Sequence, residues 1–557
     1  MSRVRGMAVL ISVAAALSAE TQPAEVTTRE ETPTFQSSVS LVRVPVVVRD
    51  KQGHAVGGLQ KQDFQLADRG KAQFIAQFAL EGGSVAKPAA APAAPLEMPG
   101  DAGPKLVVPT RFVAYVFDDL HTKAGDLMSV RASALKHIER GIPPEERIAL
   151  LTLSGRVATE FTDDVEKFRA ALMKVMPVML NRFPPITPYR AFRYRDFSDD
   201  GPGSSLAVQT LITRDCLHVN PLTAPAIAQR DLEAAASELY FQDANSLRNL
   251  NETVRRLSGM PGDRVMVLVS PGTYVSRELN DKLNKSIDSA TRAGVVVNTL
   301  DARGVYVINA SFELAGCDLR PETVRAVDQS DGAGNLEQTF FLSDLAESTG
   351  GSRAAQNDFQ AEFDRLALPP DYIYYLGFYP KDLKPDGKFH EIKVTLENGK
   401  GLTVMARKGY WAPSHEEDAA ATATREIAEA VFSNDEVHDL PISLHARFYK
   451  TGAWDARATV ITHLDIRHLP LRKQDGRNRD DVTVVCALFD RNGNFVKGKQ
   501  TQVELRLKDE HVESRRARGV TVNHEFDVKS GSYLIRVVAR DAEGRQTAAA
   551  SGVVEIP

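Results

Sequence analysis

The period of the apolar residues changes twice along this chain. Short alternating runs extend to residue 81. Uninterrupted apolar runs separated by helical spacing fill 110–368, and alternation returns from 369 onward. The organising stretch is Arg111–Phe117, an apolar run without alternation that stops at Asp118 and Asp119. Such a run suits a strand buried on both faces. Functional groups of open α/β sheets stand just beyond the carboxyl ends of such strands, which places Asp118, Asp119, His121 and Thr122 there. Leu127, Val130, Ala134, Leu135 and Ile138 then recur at helical spacing until Gly141 and Pro143-Pro144 stop them.

The same unit repeats. Arg147–Leu153 leads to Ser154-Gly155, Arg264–Ser270 to Pro271-Gly272, and Val295–Leu300 to Asp301-Ala302-Arg303-Gly304. Helices are predicted over 226–257, 279–293, 340–349 and 359–366. Strands alternating with helices predict a doubly wound, Rossmann-like α/β domain over 110–368. Residues 177–225 interrupt it with prolines, arginines and aromatics (Arg182, Phe183, Tyr189, Arg190, Phe192, Arg193, Tyr194, Arg195) and are predicted to be a long insertion loop.

The flanks carry period-two patterns. A β segment over 39–81, with a turn at Asp50-Lys51-Gln52-Gly53, is followed by a Pro/Ala-rich linker, 82–109. A second β segment covers 369–412. Each is too short to bury a core alone, so the two are expected to pack as one unit with the α/β domain inserted between them. A helical connector is predicted at 413–437 and a C-terminal β-sandwich at 438–557. Residues 20–38 are polar and expected to be loose. At 1–19, Arg3 and Arg5 precede the apolar run Met7–Leu17 and the small residues Ser18-Ala19. That is the pattern of a secretory signal peptide, so the mature chain is expected to be exported, periplasmic or extracellular. No later stretch is long and apolar enough for a transmembrane helix.

Charge and cysteines add less. Lys and Arg number 68 against 73 Asp and Glu, a net charge of −5, with no long basic run; nothing favours nucleic acid. Of the three cysteines, Cys216 and Cys317 lie in irregular segments of one domain and are the expected disulfide. Cys486 sits in an apolar run and is expected to be a buried free thiol. No Gly-x-Ser-x-Gly elbow, His-Glu-x-x-His helix or phosphate loop occurs. A hydrolase-like reading would need Asp301 to meet Asp118 and Asp119.

Several short motifs occur in a telling order: Val44–Asp50 with Gly53, Leu59–Phe64, Phe117-Asp118-Asp119-Leu120-His121 and Asp301–Gly304. Leu345–Gly351, Tyr375–Tyr379 and Arg407–Tyr410 complete the series. Together they resemble the bacterial VWFA-related proteins, and the middle of the chain resembles a von Willebrand factor type A domain. The resemblance covers 39–436. It implies a divalent-cation site at the top of the sheet, with Asp118 as the first carboxylate, Thr122 in place of the last serine and Thr223 as the middle threonine. Leu120 offers no oxygen where a serine is usual, and Ser270-Pro271-Gly272 replaces the usual Asp-Gly. Hard cations want six or more oxygens, so Mg²⁺ is expected to be held weakly, with no resident cofactor. The plainer alternative, favoured on these residues, is that Asp118 and Thr122 cap the first helix and satisfy the turn. The resemblance implies a non-enzymatic protein that binds an unknown protein ligand through the top face: Asp118, Asp119, His121, Thr122, Ser154, Ser270, Thr273, Asp301 and Arg303. A purely structural envelope component is the third reading.

Overall fold

The computed structural model describes residues 25–31, 42–52, 54–82, 109–178, 186–197, 201, 203–305, 314, 316–368, 371–380, 388–397, 399–412, 427, 430–432, 437–438, 440–542 and 546–557. The expected signal peptide and almost all of the Pro/Ala linker lie outside these residues, as do Arg182 and Phe183. Strands β1 (Val26–Glu31), β2 (Val42–Arg49), β3 (Phe64–Asp68), β4 (Lys71–Gln73) and β5 (Gln77–Gly82) come first. The α/β region runs β6 (Arg111–Phe117), α1 (Ala124–Ile138), β7 (Glu146–Thr152), α2 (Val165–Leu172), α3 (Pro188–Asp196), α4 (Ser205–Leu217) and α5 (Ala224–Ser258). It continues through β8 (Asp263–Ser270), α6 (Arg277–Arg292), β9 (Val295–Asp301), α7 (Pro321–Ser348), β10 (Arg353–Ala354) and α8 (Phe359–Leu366). Then follow β11 (Tyr372–Phe378), β12 (Phe389–Leu396), β13 (Thr403–Ala406) and β14 (Gly409–Trp411).

Five strands form a parallel sheet in the order β10-β9-β8-β6-β7. The lack of alternation in β6 has a direct cause, because both of its faces are buried. Val113, Tyr115 and Phe117 pack under α1, α2 and α8, while Phe112, Ala114 and Val116 pack under α5, α6 and α7. The strand order reverses at β6, between β7 and β8. Ligand crevices of doubly wound sheets open at that point, so Asp118 at the end of β6 and Ser270 at the end of β8 flank it.

The insertion is not a loop. Thr187 caps α3 through its hydroxyl, with Pro188 in the first turn, and Ser204 caps α4 by accepting from Ala207 N at 3.1 Å. Helix α3 packs Ala191 with Ala235, Ala236 and Leu239 of α5; α4 packs Val208, Ile212 and Cys216 with Val327 of α7. Arginines at 190, 193 and 195 hide this short helix from a hydrophobicity reading, although Arg190 is itself buried against Gln209. Helix α7 also begins far earlier than residue 340. Gly332 and Gly334 read as breakers, yet Gly334 makes room for α3, since a Cβ there would lie 2.5 Å from Tyr189 Cγ. The result is a helical layer of α3, α4 and the leading halves of α5 and α7. A disulfide joins Cys216 to Cys317 in this layer, with Cα atoms 4.6 Å apart; Cys486 is free and buried.

The two flanking β segments share one core. The sheets β13-β2-β11-β5 and β14-β12-β3-β4 face each other across Val44, Val46, Phe64, Leu66, Tyr374, Phe378 and Ile392. Val46 lies opposite Tyr374 in β11, which pairs on its other side with β5, so the α/β region is inserted between β5 and β11. Buried Arg407 after β13 pairs with Asp288 of α6, and Lys408 pairs with Asp344 of α7, clamping the insert to its host.

Beyond residue 440 a seven-stranded and a three-stranded sheet enclose a common core that includes Val460, Val522, Val484 and Ile535. Residues 20–38 are not wholly loose, because β1 forms an edge of the seven-stranded sheet, with Val26 opposite Leu505. Alternation in a polar run is easily missed when only one side of an edge strand is covered. Of the expected helical connector, Ile427, Ala430 and Val431 pack on Val485, Ala487 and Phe489; most of the rest lies outside the described residues. The turn at Asp490–Asn494 docks on the amino ends of the parallel strands. Arg491 pairs with Asp163 at 3.0 Å, and Gly493 (φ +83°) lies so close to Phe112 that a Cβ would sit 2.3 Å from the ring.

Replacing Cys216 and Cys317 by serine is expected to cost about 2–5 kcal/mol, since the bond closes a loop of roughly 100 residues. The urea midpoint should fall, and an unchanged midpoint would show that the helical layer needs no staple. Burial pushes the Cys486 thiol up, so it should resist a thiol reagent until the protein unfolds.

Candidate functional site

The end of β6 delivers Asp118 into the protein interior. Its backbone N–H continues the sheet, donating to Val269 O at 2.9 Å, and its side chain is fully buried. Oδ1 accepts from the backbone of Leu120 at 3.1 Å and of His121 at 2.9 Å, which curls residues 118–121 into a tight turn. Oδ2 accepts from Ser270 Oγ of β8 at 2.6 Å. The curl brings His121 Nδ1 to 3.0 Å from each carboxylate oxygen. On the far edge of the ring, Nε2 lies 3.1 Å from Asp243 Oδ1 of α5, an electrostatic contact off the line of a good hydrogen bond. Thr273 Oγ1 donates to the same Asp243 oxygen at 2.6 Å. One imidazole therefore lies between two buried carboxylates, its side chain only 3% exposed.

The charges follow from this geometry. Burial alone would push His121 toward the neutral form. The charge of Asp118, the hydrogen bond to it and the nearby charge of Asp243 outweigh burial and raise its pKa well above 6.5. Burial likewise pushes Asp118 up, but the charge of His121 and the hydrogen bonds from His121 and Ser270 hold it below its ordinary value. The geometry, a ring set between two buried acidic side chains, favours the charged form of His121. Gly272 shapes its β8 side. At φ +87° it donates its N–H to Ser270 Oγ at 2.9 Å, and a Cβ there would lie 2.2 Å from Gln338 O of α7.

The remaining top-face residues form two other clusters. Asp119 accepts from Ser154 N at 2.9 Å and Ser154 Oγ at 2.5 Å, tying the end of β6 to the end of β7, and burial raises its pKa. Asp301 is held at 2.8 Å through each oxygen by Arg303 and at 3.2 Å by Arg353. Thr223 joins none of them. It is exposed at the start of α5, bonded to Asn220 O at 3.0 Å, and some twenty residues of helix, about 30 Å at 1.5 Å per residue, separate it from Asp243. The capping alternative holds for the turn but not for the helix, because the residue capping α1 is Lys123, which makes no side-chain cap. Asp118 satisfies its own turn instead, and Thr122 Oγ1 is buried with no hydrogen-bond partner.

A hard cation does not fit these donors. Both Asp118 oxygens already accept hydrogen bonds, Leu120 and Ser270 replace an oxygen ligand and a carboxylate, and Thr223 is remote. Nor are the named residues displayed. Asp118, Asp119, Thr122, Ser270, Thr273 and Asp301 are all buried, and the helical layer lies over the loop after β8, where Tyr274 packs on Tyr189 and Phe192 with both ring centroids 5.4 Å away. Sequence reading missed Asp243. The available signal was a carboxylate on the apolar stripe of α5, four residues after Leu239 and four before Leu247.

No protein-family model matches the chain, and no curated protein does. Among solved structures, an aerotolerance-related membrane protein from Bacteroides fragilis NCTC 9343 is similar at 10% identity and TM-score 0.22, over 46% of this chain and 96% of that one. The conserved hypothetical protein BatB from Bacteroides thetaiotaomicron is similar at 10% identity and TM-score 0.20, over 46% of this chain and 96% of that one.

Removing one member of a buried, paired charge set costs about 3–5 kcal/mol, and His121→Ala should lose stability on that scale in chemical denaturation. The pH dependence has a defined sign. His121, with its raised pKa, contributes fully below its unfolded value of 6.5, and the contribution is lost as pH rises through the folded value. Asp118, with its lowered pKa, contributes fully above 3.8 and loses that as pH falls through its folded value. The gap between wild type and His121→Ala should therefore be widest between these two values and shrink on the alkaline side. A gap that widens with rising pH would contradict the assigned charge.

Proposed function

We propose that this chain is an exported, non-catalytic binding protein built on a von Willebrand factor type A-like domain with a degenerate ion site. The observation that carries the reading is that each of the three top-face carboxylates is engaged by its own partners within the protein. His121 and Ser270 engage Asp118, Ser154 engages Asp119, and Arg303 with Arg353 engages Asp301. A hydrolase needs a carboxylate or a bound water that can reach substrate. These groups are buried and spent on one another, which disfavours the hydrolase-like alternative. Export is supported by the leading sequence and by the Cys216–Cys317 bond, since disulfides persist in oxidising compartments. No helix among the described residues is long and apolar enough to cross a membrane.

The partner surface in this reading is the helical layer, not the carboxylates beneath it. Phe241 is 66% exposed and Phe197 41% exposed. Arg195 lies over Tyr240 at 4.7 Å, Tyr240 packs on Phe241, and Arg193 lies over Phe197 at 5.6 Å. Exposed aromatics beside arginines are the residue types that dominate protein interfaces.

Cross-linked capture of a protein partner from the source organism should be lost in Phe197→Asp/Phe241→Asp, with an unchanged melting temperature. Asp118→Ala should lose stability yet still capture the partner at a temperature where it remains folded, and a chelator should leave both readouts nearly unchanged. Capture abolished by chelator, or by Asp118→Ala in folded protein, would place the binding chemistry at the carboxylates and overturn the reading.

A further inference from the structure

A type A domain resembling this one is expected to hold a cation at the end of β6, and the donors here do not fit one. That mismatch has a positive content. Three elements of the fold direct oxygen toward one small volume: Asp118 from the end of β6, Ser270 and Thr273 from the end of β8, and Asp243 from the middle of α5. Two buried carboxylates facing one another are unfavourable, because neither can be solvated and like charges at close range repel. A cation between them relieves both, the alternative being a carboxyl that takes up a proton.

We propose that the His121 side chain is the resident cation of this site. It substitutes for a divalent metal ion and makes the junction of β6, β8 and α5 independent of metal. The ring meets both oxygens of Asp118 at 3.0 Å and one oxygen of Asp243 at 3.1 Å. It is delivered by the turn that Asp118 itself organises through the backbone N–H groups of residues 120 and 121. A metal ion could take six or more ligands, whereas the imidazolium offers two N–H donors. A cation supplied by the chain cannot be removed by chelation or diluted away. The clasp is thus a permanent tie between the sheet and the long helix that carries the outer layer. This inference is independent of which partner the outer layer meets.

The experiment uses the full chain and Mn²⁺ as probe, read by paramagnetic resonance and by thermal shift. Wild type should take up no Mn²⁺ at this site and should melt at the same temperature in Mn²⁺ and in EDTA. His121→Gly opens the space between the carboxylates. It should melt lower, bind about one equivalent of Mn²⁺, and regain melting temperature with Mn²⁺ or with free imidazole, since a ligand that binds only the folded state stabilises it. Adding Asp118→Asn to His121→Gly should abolish that rescue. Should His121→Gly not fold, the decision passes to wild type. Histidine-selective ¹⁵N resonances should show both His121 ring nitrogens protonated at neutral pH. Mn²⁺ uptake by wild type that Asp118→Asn removes, or a neutral His121 ring, would overturn the proposal.

Discussion

A carboxylate taken out of water must be answered by charge or by several hydrogen bonds, and this fold has to answer it at the end of its central strand. Asp118 lies there because a strand buried on both faces can end only at the sheet edge, inside the crevice where the strand order reverses. The answer is assembled from far along the chain. Ser270 is brought in because β8 lies beside β6 in register, and Asp243 because α5 crosses the same sheet face. His121 arrives from the turn itself. The pairing of β6 with β8, the path of α5 and the turn at 118–121 must all be correct before the carboxylates are satisfied. The cluster therefore checks the topology as well as stabilising it.

The same economy explains why the top of the sheet is closed. Each carboxylate has its own partner on a different element, and each pairing draws two elements together: β6 with β7 through Asp119 and Ser154, and β9 with β10 through Asp301 and Arg353. A surface built this way is rigid and low in free charge. In the proposed reading, contact with other molecules falls to what lies above it, the helices with aromatic and arginine side chains.

Much of the fold was legible because burial on two faces leaves a strong mark. The uninterrupted runs at 111–117, 147–153, 264–270 and 295–300 marked four parallel strands, and Asp118, Ser154, Ser270 and Asp301 at their ends marked the crevice. The pairing of the outer β segments was legible from their length, since neither could bury a core alone. What escaped had weak or misleading marks. Arginines masked α3, and Gly334, needed for close packing, hid the leading half of α7. Asp243 was invisible to a search for motifs near Asp118, because its proximity exists only after a helix 35 residues long is laid across the sheet. Thr223 attracted attention for the opposite reason: it matched an expected order in sequence and is misplaced in space.

The pairing of β1 with the strand Phe495–Leu507 gives the molecule a nested architecture, with one unit inside another and the outermost seam closed by the first described strand. Lys499 pairs across that seam with Glu30, 469 residues earlier. The thermodynamic penalty for so long a closure is modest, because loop entropy grows only with the logarithm of length. The temporal penalty is larger. During vectorial synthesis β1 emerges long before its partner strand, so an extended segment with unsatisfied backbone groups must wait through nearly the whole process. Its sequence, Val-Thr-Thr-Arg-Glu-Glu, is charged and weakly apolar, the composition that keeps a waiting edge strand from pairing with the wrong neighbour.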